Sequence, residues 1–362
     1  MRSALVLSGG GANGAYEIGV MKALFNGQSP ATWRRPLEPA AIASTSIGTF
    51  NAAVLLSNFT GAWPSAAATL EQVWTERIAA ESGAVRNGVL RYRMNPLDWA
   101  AVARRDPMGP LRDLAGDTAF LARDWYTRIA GFVSGTGSIA GRFAELFDAS
   151  SFLTPEPSAE LVREVVESSR IRQAPVSLRA TATEWQRGLL RVFENADFTD
   201  ERAAAIVRAS GAIPGIFPAV PIGDELFVDG GVVLNTPLKP AIDAQCDDLH
   251  VIYLDPAPGA VPLRPVSSMV DAMSRMFVSS FAATMRRDLE VAAKVNLEVK
   301  AGKHAHKRPI AVHLYHPADD IGGALGMLDF QRERIVALVE RGYHDAVQHD
   351  CARSQCLNIA DA

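Results

Sequence analysis

Three short segments carry residue types suited to acyl transfer. The run "SGGGANG" (8–14) supplies consecutive backbone N–H groups at the start of a helix, an arrangement that attracts an anion. The run "STSIG" (44–48) sets Ser46 between a strand and a helix with Gly48 two residues on, the layout of a nucleophile elbow. The run "LFVDGG" (226–231) closes an apolar strand with Asp229, a carboxylate that burial would push up toward the pKa of a useful base. Combined, these groups describe one reaction. Ser46 attacks an ester carbonyl, Asp229 takes its proton, and the amides of Gly10 and Gly11 hold the transient alkoxide. One such donor is worth about 2.7–4 kcal/mol in other hydrolases.

Rival readings of the same residues are weaker. Gly9, Gly11 and Gly14 spell the dinucleotide pattern G-x-G-x-x-G. That fold wants an acidic residue about 20 positions on, at the end of the second strand. Here Glu38 precedes that strand, which ends in Ser44-Thr45-Ser46. A Walker loop would need a lysine, and the first is Lys22. A nucleotide-dependent oxidoreductase is therefore the minor alternative. All seven histidines follow Asp229, so a Ser–Asp–His order is formally available. His250 opens a strand, His313 lies within one, and His316 is the least badly placed; a two-residue Ser–Asp relay fits better. Cys246, Cys351 and Cys356 are too few and too scattered for a disulfide framework or a zinc site, so neither metal nor cofactor is expected.

Positioning these groups requires strands that end beside one another. Residues 3–8 are continuously apolar in the middle, as in a strand covered on both faces. A helix is predicted from about Gly14 to Phe25, then a strand over Ala40–Thr45 and a second helix. Two strand–turn–helix units in about 60 residues indicate α/β architecture. Residues 81–173 differ, with helical patterns and few strand signals. There Leu121, Trp125, Ile129, Phe132 and Val133 share one helical face. That face is expected mostly to pack on the sheet, with a cap over an acyl groove as the functional variant. Strand signals return within "VSLRATAT", "LFVDGG", "LHVIYLD" and "IAVHLY", and a helix over about 329–347 closes the fold.

The chain of 362 residues is 48% hydrophobic and 21% charged, too apolar for disorder. Its net charge of −4 gives no footprint for nucleic acid. The five-residue apolar run at the N-terminus is too short for a signal-peptide core. No uninterrupted apolar run reaches the ~18 residues of a membrane span. A cytoplasmic protein is expected, with peripheral contact to a membrane surface left open.

In this combination the segments resemble the patatin-like phospholipase family in its bacterial form. "GGGANG" resembles its oxyanion motif, "STSIG" its nucleophile motif and "DGG" its catalytic Asp-Gly-Gly/Ala. "ASGAIPGIFPAV" (209–220) is similar to the family's Ala-Ser-x-Ala-x-Pro-x-x-Phe-Pro, and "NTP" (235–237) to its Asn-x-Pro. "MLDFQRERIVALVERGYHDA" (327–346) resembles the closing run of bacterial members. The likeness spans about residues 4–255 outside the helical insertion. It implies a three-layer α/β sandwich with a central, mostly parallel sheet. The catalytic domain would cover 1–349, interrupted by an insertion or cap at 81–173, and 350–362 would be a frayed tail. The resemblance implies Ser46 as nucleophile, Asp229 as base, Gly9, Gly10 and Gly11 as the oxyanion pocket, and Gly14, Gly48, Gly230 and Gly231 as supporting turns. The implied reaction is metal-free hydrolysis of lipid acyl esters, with phospholipids or related acyl lipids as substrate. Two positions depart from the pattern. Ser44 stands where glycine is usual, and Asn13 where an Arg or Lys is usual. They motivate a rival reading, a catalytically weakened binding or scaffold protein on the same fold.

Overall fold

A computed structural model of the chain describes residues 1–79, 91–92, 103, 107–134, 153–154, 156–256, 269–303, 308–322 and 326–357. Much of the 81–173 insertion lies outside the described residues, as do the side chains of Phe132 and Val133. Eight strands form the central sheet: β1 (Ser3–Leu7), β2 (Ala41–Thr45), β3 (Ser177–Glu184), β4 (Leu189–Glu194), β5 (Val220–Ile222), β6 (Glu225–Asp229), β7 (Asp248–Ile252) and β8 (Ala311–Tyr315). Their order is β8-β7-β1-β2-β3-β6-β5, with β4 also paired to β3. The five strands from β8 to β3 run parallel, and β4, β5 and β6 add antiparallel pairs.

The helices used below are α1 (Gly14–Phe25), α2 (Ile47–Ser57), α3 (Trp63–Gln72), α4 (Gly109–Ser134), α5 (Glu156–Val165), α6 (Ser168–Gln173), α7 (Ala203–Ser210), α8 (Leu238–Asp243), α9 (Met269–Lys300) and α10 (Arg332–Val347). Alternation along β1 explains the two outer layers, because successive side chains point to opposite faces. Leu5 and Leu7 join a core with α1, α2, α3, α7 and α10, whereas Ala4 and Val6 join a second core with α8 and Met285 of α9. Burial on both faces is why the strand reads as an unbroken apolar run.

The register of β3 positions the chemistry. β4 occupies one edge of β3 over 179–184. β2 and β6 must therefore share the other edge. β2 runs forward along it until Thr45 stands opposite Thr181. β6 runs backward along it until Asp229 stands opposite Ala182. The two strand ends meet head-on, one residue step apart, and Ser46 follows immediately. The expectation that Asp229 would share an edge with Ser46 holds, but the strand that delivers it is antiparallel.

The C-terminal segment differs from expectation. Residues 350–357 do not fray: Leu357 pairs with Val312 of β8, and the Cys356 sulfur accepts from Leu314 N–H at 3.2 Å. In α4, Trp125 is 54% exposed and Ile129 50%, so these two side chains do not pack on the sheet as most of that face was expected to do. Among the described residues no helix is long and apolar enough to cross a membrane.

Candidate active site

Ser46 sits between β2 and α2 with φ 55° and ψ −125°, a conformation that costs a non-glycine residue on the order of 1–3 kcal/mol. The strain is held from several sides. Ser46 N–H donates to Ser210 Oγ at 2.9 Å, and Ser210 Oγ donates to the Thr181 carbonyl at 2.7 Å. Ser210 also meets the Thr49 hydroxyl, which meets Ser44 Oγ at 3.1 Å. Ser44 is therefore accommodated: its side chain is buried and hydrogen-bonded beneath the turn.

The product of this turn is a single contact. Ser46 Oγ donates to Asp229 Oδ2 at 2.6 Å. Among the described residues no histidine intervenes: His250 and His313 lie on β7 and β8, and His316 follows β8. Asp229 is buried, and its other oxygen accepts Gly231 N–H at 2.7 Å. Its backbone carbonyl accepts from Thr183 Oγ1 at 2.9 Å and its N–H donates to the Ala212 carbonyl at 2.9 Å. Burial pushes the carboxyl up to about 6, against the downward pull of the bonds from Ser46 and Gly231. Both bonds come from neutral donors, so desolvation wins.

The glycine loop joins this centre through Asn235. Gly9 N–H donates to the Asn235 carbonyl at 3.2 Å, and Asn235 Nδ2 donates back to the Gly9 carbonyl at 3.2 Å. A Cβ on Gly9 would stand 2.9 Å from the Cβ of Ser46, which only glycine allows. Gly11 has φ +56° and abuts the Met327 carbonyl, which accepts Ala12 N–H at 2.8 Å. Among the described residues nothing accepts the N–H of Gly10 or of Gly11, the orphan donors at the start of a short helical turn. Gly14 opens α1, Gly48 packs on Leu7 in the first turn of α2, and Gly230 and Gly231 form the turn after β6.

Asn13 is buried, and Arg334 of α10 donates to its Oδ1 at 2.7 Å. A guanidinium thus stands against the position where the motif lacks its own cation. Sequence reading assigned no role to Arg334, to Ser210 or to Asn235. All three lie inside stretches it had matched, "ASGAIP", "NTP" and "MLDFQRERIVALVERGYHDA".

Ser46 and Gly11 open on a cavity of about 160 Å³. Ile47, Phe50, Leu161, Val162, Phe217 and Phe330 are among its apolar walls, and among the described residues Arg208 is the charged side chain in the lining. The proline-rich stretch contributes Ile213, Phe217, Pro218 and Val220, and the insertion contributes Ser158, Leu161 and Val162 of α5. A serine hydroxyl bonded to a carboxylate, two unengaged amides nearby and an apolar cavity suit acyl transfer from a hydrophobic ester.

No curated protein matches the sequence. Among solved structures, VipD from Legionella pneumophila is similar with a TM-score of 0.40 at 13% identity, over 96% of this chain and 66% of that one. This chain therefore spans just under two thirds of that protein's length. The family model described as "Patatin-like phospholipase" matches residues 5–242, which take in the glycine loop, Ser46, Ser210, Asp229 and Asn235 and leave Met327, Phe330 and Arg334 outside. The chain belongs to the patatin-like phospholipase family.

Proposed function

We propose that the chain hydrolyses carboxylic esters of phospholipids or related acyl lipids through a Ser46–Asp229 dyad and an acyl-enzyme. The 2.6 Å bond from Ser46 Oγ to Asp229 Oδ2 carries this reading. With a substrate ester in the apolar cavity, Ser46 Oγ attacks the carbonyl carbon as its proton passes to Asp229. The carbonyl oxygen becomes an alkoxide, held by the N–H groups of Gly10 and Gly11. Gly9 is left a steric role, since its amide is already given to Asn235. Asp229, now protonated, delivers that proton to the departing alcohol oxygen. Water then attacks the acyl-Ser46 ester as its proton passes to Asp229; the second alkoxide collapses with cleavage of the acyl–Oγ bond, Asp229 returns the proton to Ser46 Oγ, and the fatty acid leaves. A carboxyl held at about 6 is ionised at neutral pH yet a stronger base than an ordinary aspartate.

The apolar walls supply the acyl subsite, and the exposed Trp125 and Ile129 of α4 would meet a lipid surface peripherally. The scaffold alternative loses its motive, because Ser44 is hydrogen-bonded in place and Asn13 is met by Arg334. The test is turnover of a short-chain chromogenic ester and of phosphatidylcholine by wild type, Ser46→Ala and Asp229→Asn, with fluorophosphonate labelling located by peptide mapping. Label on Ser46 and loss of turnover in both variants are expected. Retained turnover in either variant would overturn the dyad.

A further inference from the structure

Outside the family match and on the far edge of the sheet, two imidazoles and two thiols converge. His313 Nδ1 and Cys351 Sγ are 3.5 Å apart, Cys351 Sγ and His349 Nε2 are 3.4 Å apart, and Cys356 Sγ and His349 Nε2 are 3.4 Å apart. All four donor atoms lie within 4.8 Å of one another. We propose that His313, His349, Cys351 and Cys356 form a structural zinc site.

The spacing agrees with the coordination geometry. Bonds of ~2.3 Å to sulfur and ~2.0–2.1 Å to nitrogen, opened to the tetrahedral angle, set sulfur and nitrogen ~3.6 Å apart. The three separations above fall within two tenths of an ångström of that value. Two thiolates and two neutral imidazoles complete a tetrahedron and cancel the charge of the dication, the donor set that favours zinc over harder metals. Four protein ligands leave no open position, so the site is structural.

The surroundings orient the ligands. His313 Nε2 lies 3.3 Å from Asp248 Oδ1, so a carboxylate takes the other ring proton and leaves the Nδ1 lone pair for the metal, the usual outer partner of a metal-bound histidine. Asp248 is itself held by Ser3 Oγ at 2.7 Å. Cys356 Sγ accepts Leu314 N–H at 3.2 Å. The His349 ring packs on Tyr315 with centroids 4.5 Å apart. His250 is a neighbour and no ligand, because its ring nitrogens face Asp248 at 3.5 Å and the Tyr315 hydroxyl at 3.1 Å. A cleft lined by Pro30, Trp33 and Asp350 reaches His313, His349 and Cys351 and gives the ion a way in.

The consequence is mechanical. The metal would tie the end of α10 and the turn at 350–356 to β8, closing the C-terminal edge. Two strands separate β8 from β2, so the site stands about 14 Å or more from Ser46 by strand spacing alone. The sequence expectation of no metal rested on the scatter of three cysteines. Two of them and two histidines meet here because residues 350–357 fold back on β8, while Cys246 stays apart on its own.

The test uses the full chain, reduced and stripped by a chelator, with Co²⁺ and Zn²⁺ as probes. Titration of wild type with Co²⁺ should give one equivalent bound, a thiolate-to-cobalt charge-transfer band and the strong visible bands of a tetrahedral centre. One equivalent of Zn²⁺ should displace them and raise the melting temperature. Cys351→Ser should lose the charge-transfer intensity in large part, and Cys246→Ser should keep it. Reduced wild type that takes up no Co²⁺ with a thiolate band overturns the proposal, including the case where Cys351 and Cys356 prove to form a disulfide as purified. An unchanged band in Cys351→Ser overturns it as well. Since the wild-type titration decides by itself, a variant that fails to fold leaves the proposal falsifiable, and no outcome depends on esterase activity.

Discussion

Asp229 is a buried carboxylate and Asp248 a half-buried one toward the other side of the same sheet, and their surroundings drive them apart. At Asp229 burial dominates, the bonding partners are a neutral hydroxyl and a neutral amide, and the carboxyl rises to about 6. At Asp248 burial also pushes upward, yet hydrogen bonds from His250 and His313 outweigh it and hold the carboxyl below the usual range. The difference lies in the partners' capacity for charge. A carboxylate that meets only neutral donors stays reactive toward protons, whereas one that meets imidazoles becomes a fixed anion that orients rings. On the proposed function, the same backbone scaffold holds one group for chemistry and one for architecture.

The largest expected effect breaks the reactive end. Ser46→Ala removes the nucleophile and Asp229→Asn the base, and each should lower kcat/KM on a chromogenic ester by at least about 10³-fold. Zinc uptake at the other edge should stay unchanged in both variants. Turnover and metal titration measured on the same samples check that the two ends are independent.

The pH profile sharpens the contrast. Because Asp229 must be ionised to act as base, log kcat/KM should fall with unit slope below about pH 6 and level off above it. Stability should run the other way. The folded carboxyl holds its proton up to about 6 and the unfolded one to only 3.8, so the stabilisation present below 3.8 is lost as pH rises through about 6. At pH 8 the ionised carboxylate then costs on the order of 2–3 kcal/mol. Asp229→Asn should raise the melting temperature at pH 8 and lose that advantage near pH 4. An activity plateau extending unchanged to pH 4.5 would contradict the assignment of the base.

These groups differ in how far the sequence reveals them. Ser46 and Asp229 are legible because each sits at a strand end followed by glycine, a local pattern. β1 and β2 are legible because burial on both faces leaves an unbroken apolar run. The head-on meeting of β2 and β6 is not local: it depends on β3 being long enough to take both along one edge while β4 fills the other. Ser210 lies in a matched motif, yet its bond to the Ser46 amide depends on the elbow being placed against it. The His313–Cys356 cluster is the extreme case. A strand residue and a C-terminal turn are joined by the return of residues 350–357, which from their place at the end of the sequence read as a frayed tail.

Ser210 gives a smaller effect that tests how the strain at Ser46 is held. Ser210→Ala removes the acceptor of Ser46 N–H and leaves that buried amide unpaired, at a cost of about 1–3 kcal/mol. Turnover should drop by about tenfold through kcat with KM little changed, because Ser210 positions the nucleophile without touching substrate. Ser210→Thr should restore much of the loss by returning a hydroxyl. A pure stability loss with unchanged kcat would mean the elbow holds its shape without this bond.

The smallest effect comes from a third carboxyl, Glu17 of α1. Burial pushes it well above the usual range despite the hydrogen bond from Asn51. Asn51 Nδ2 donates to Glu17 at 2.8 Å and to the Gly14 carbonyl at 3.0 Å, and Asn51 Oδ1 accepts Trp74 Nε1 at 2.8 Å. Glu17 is therefore an acceptor in a network that ties α1 to α2 just behind the two site turns. Gln offers the same acceptor in the same volume without the titrating proton. Glu17→Gln should change stability by less than about 1 kcal/mol and leave the acid limb of the activity profile where it was. This sets it against Asp229→Asn, the same chemical change in an equally buried carboxyl. If Glu17→Gln instead lowered kcat tenfold or moved the acid limb, the charge that governs the reaction would belong to both carboxyls, and the contrast between reactive and architectural groups would have to be redrawn around α1.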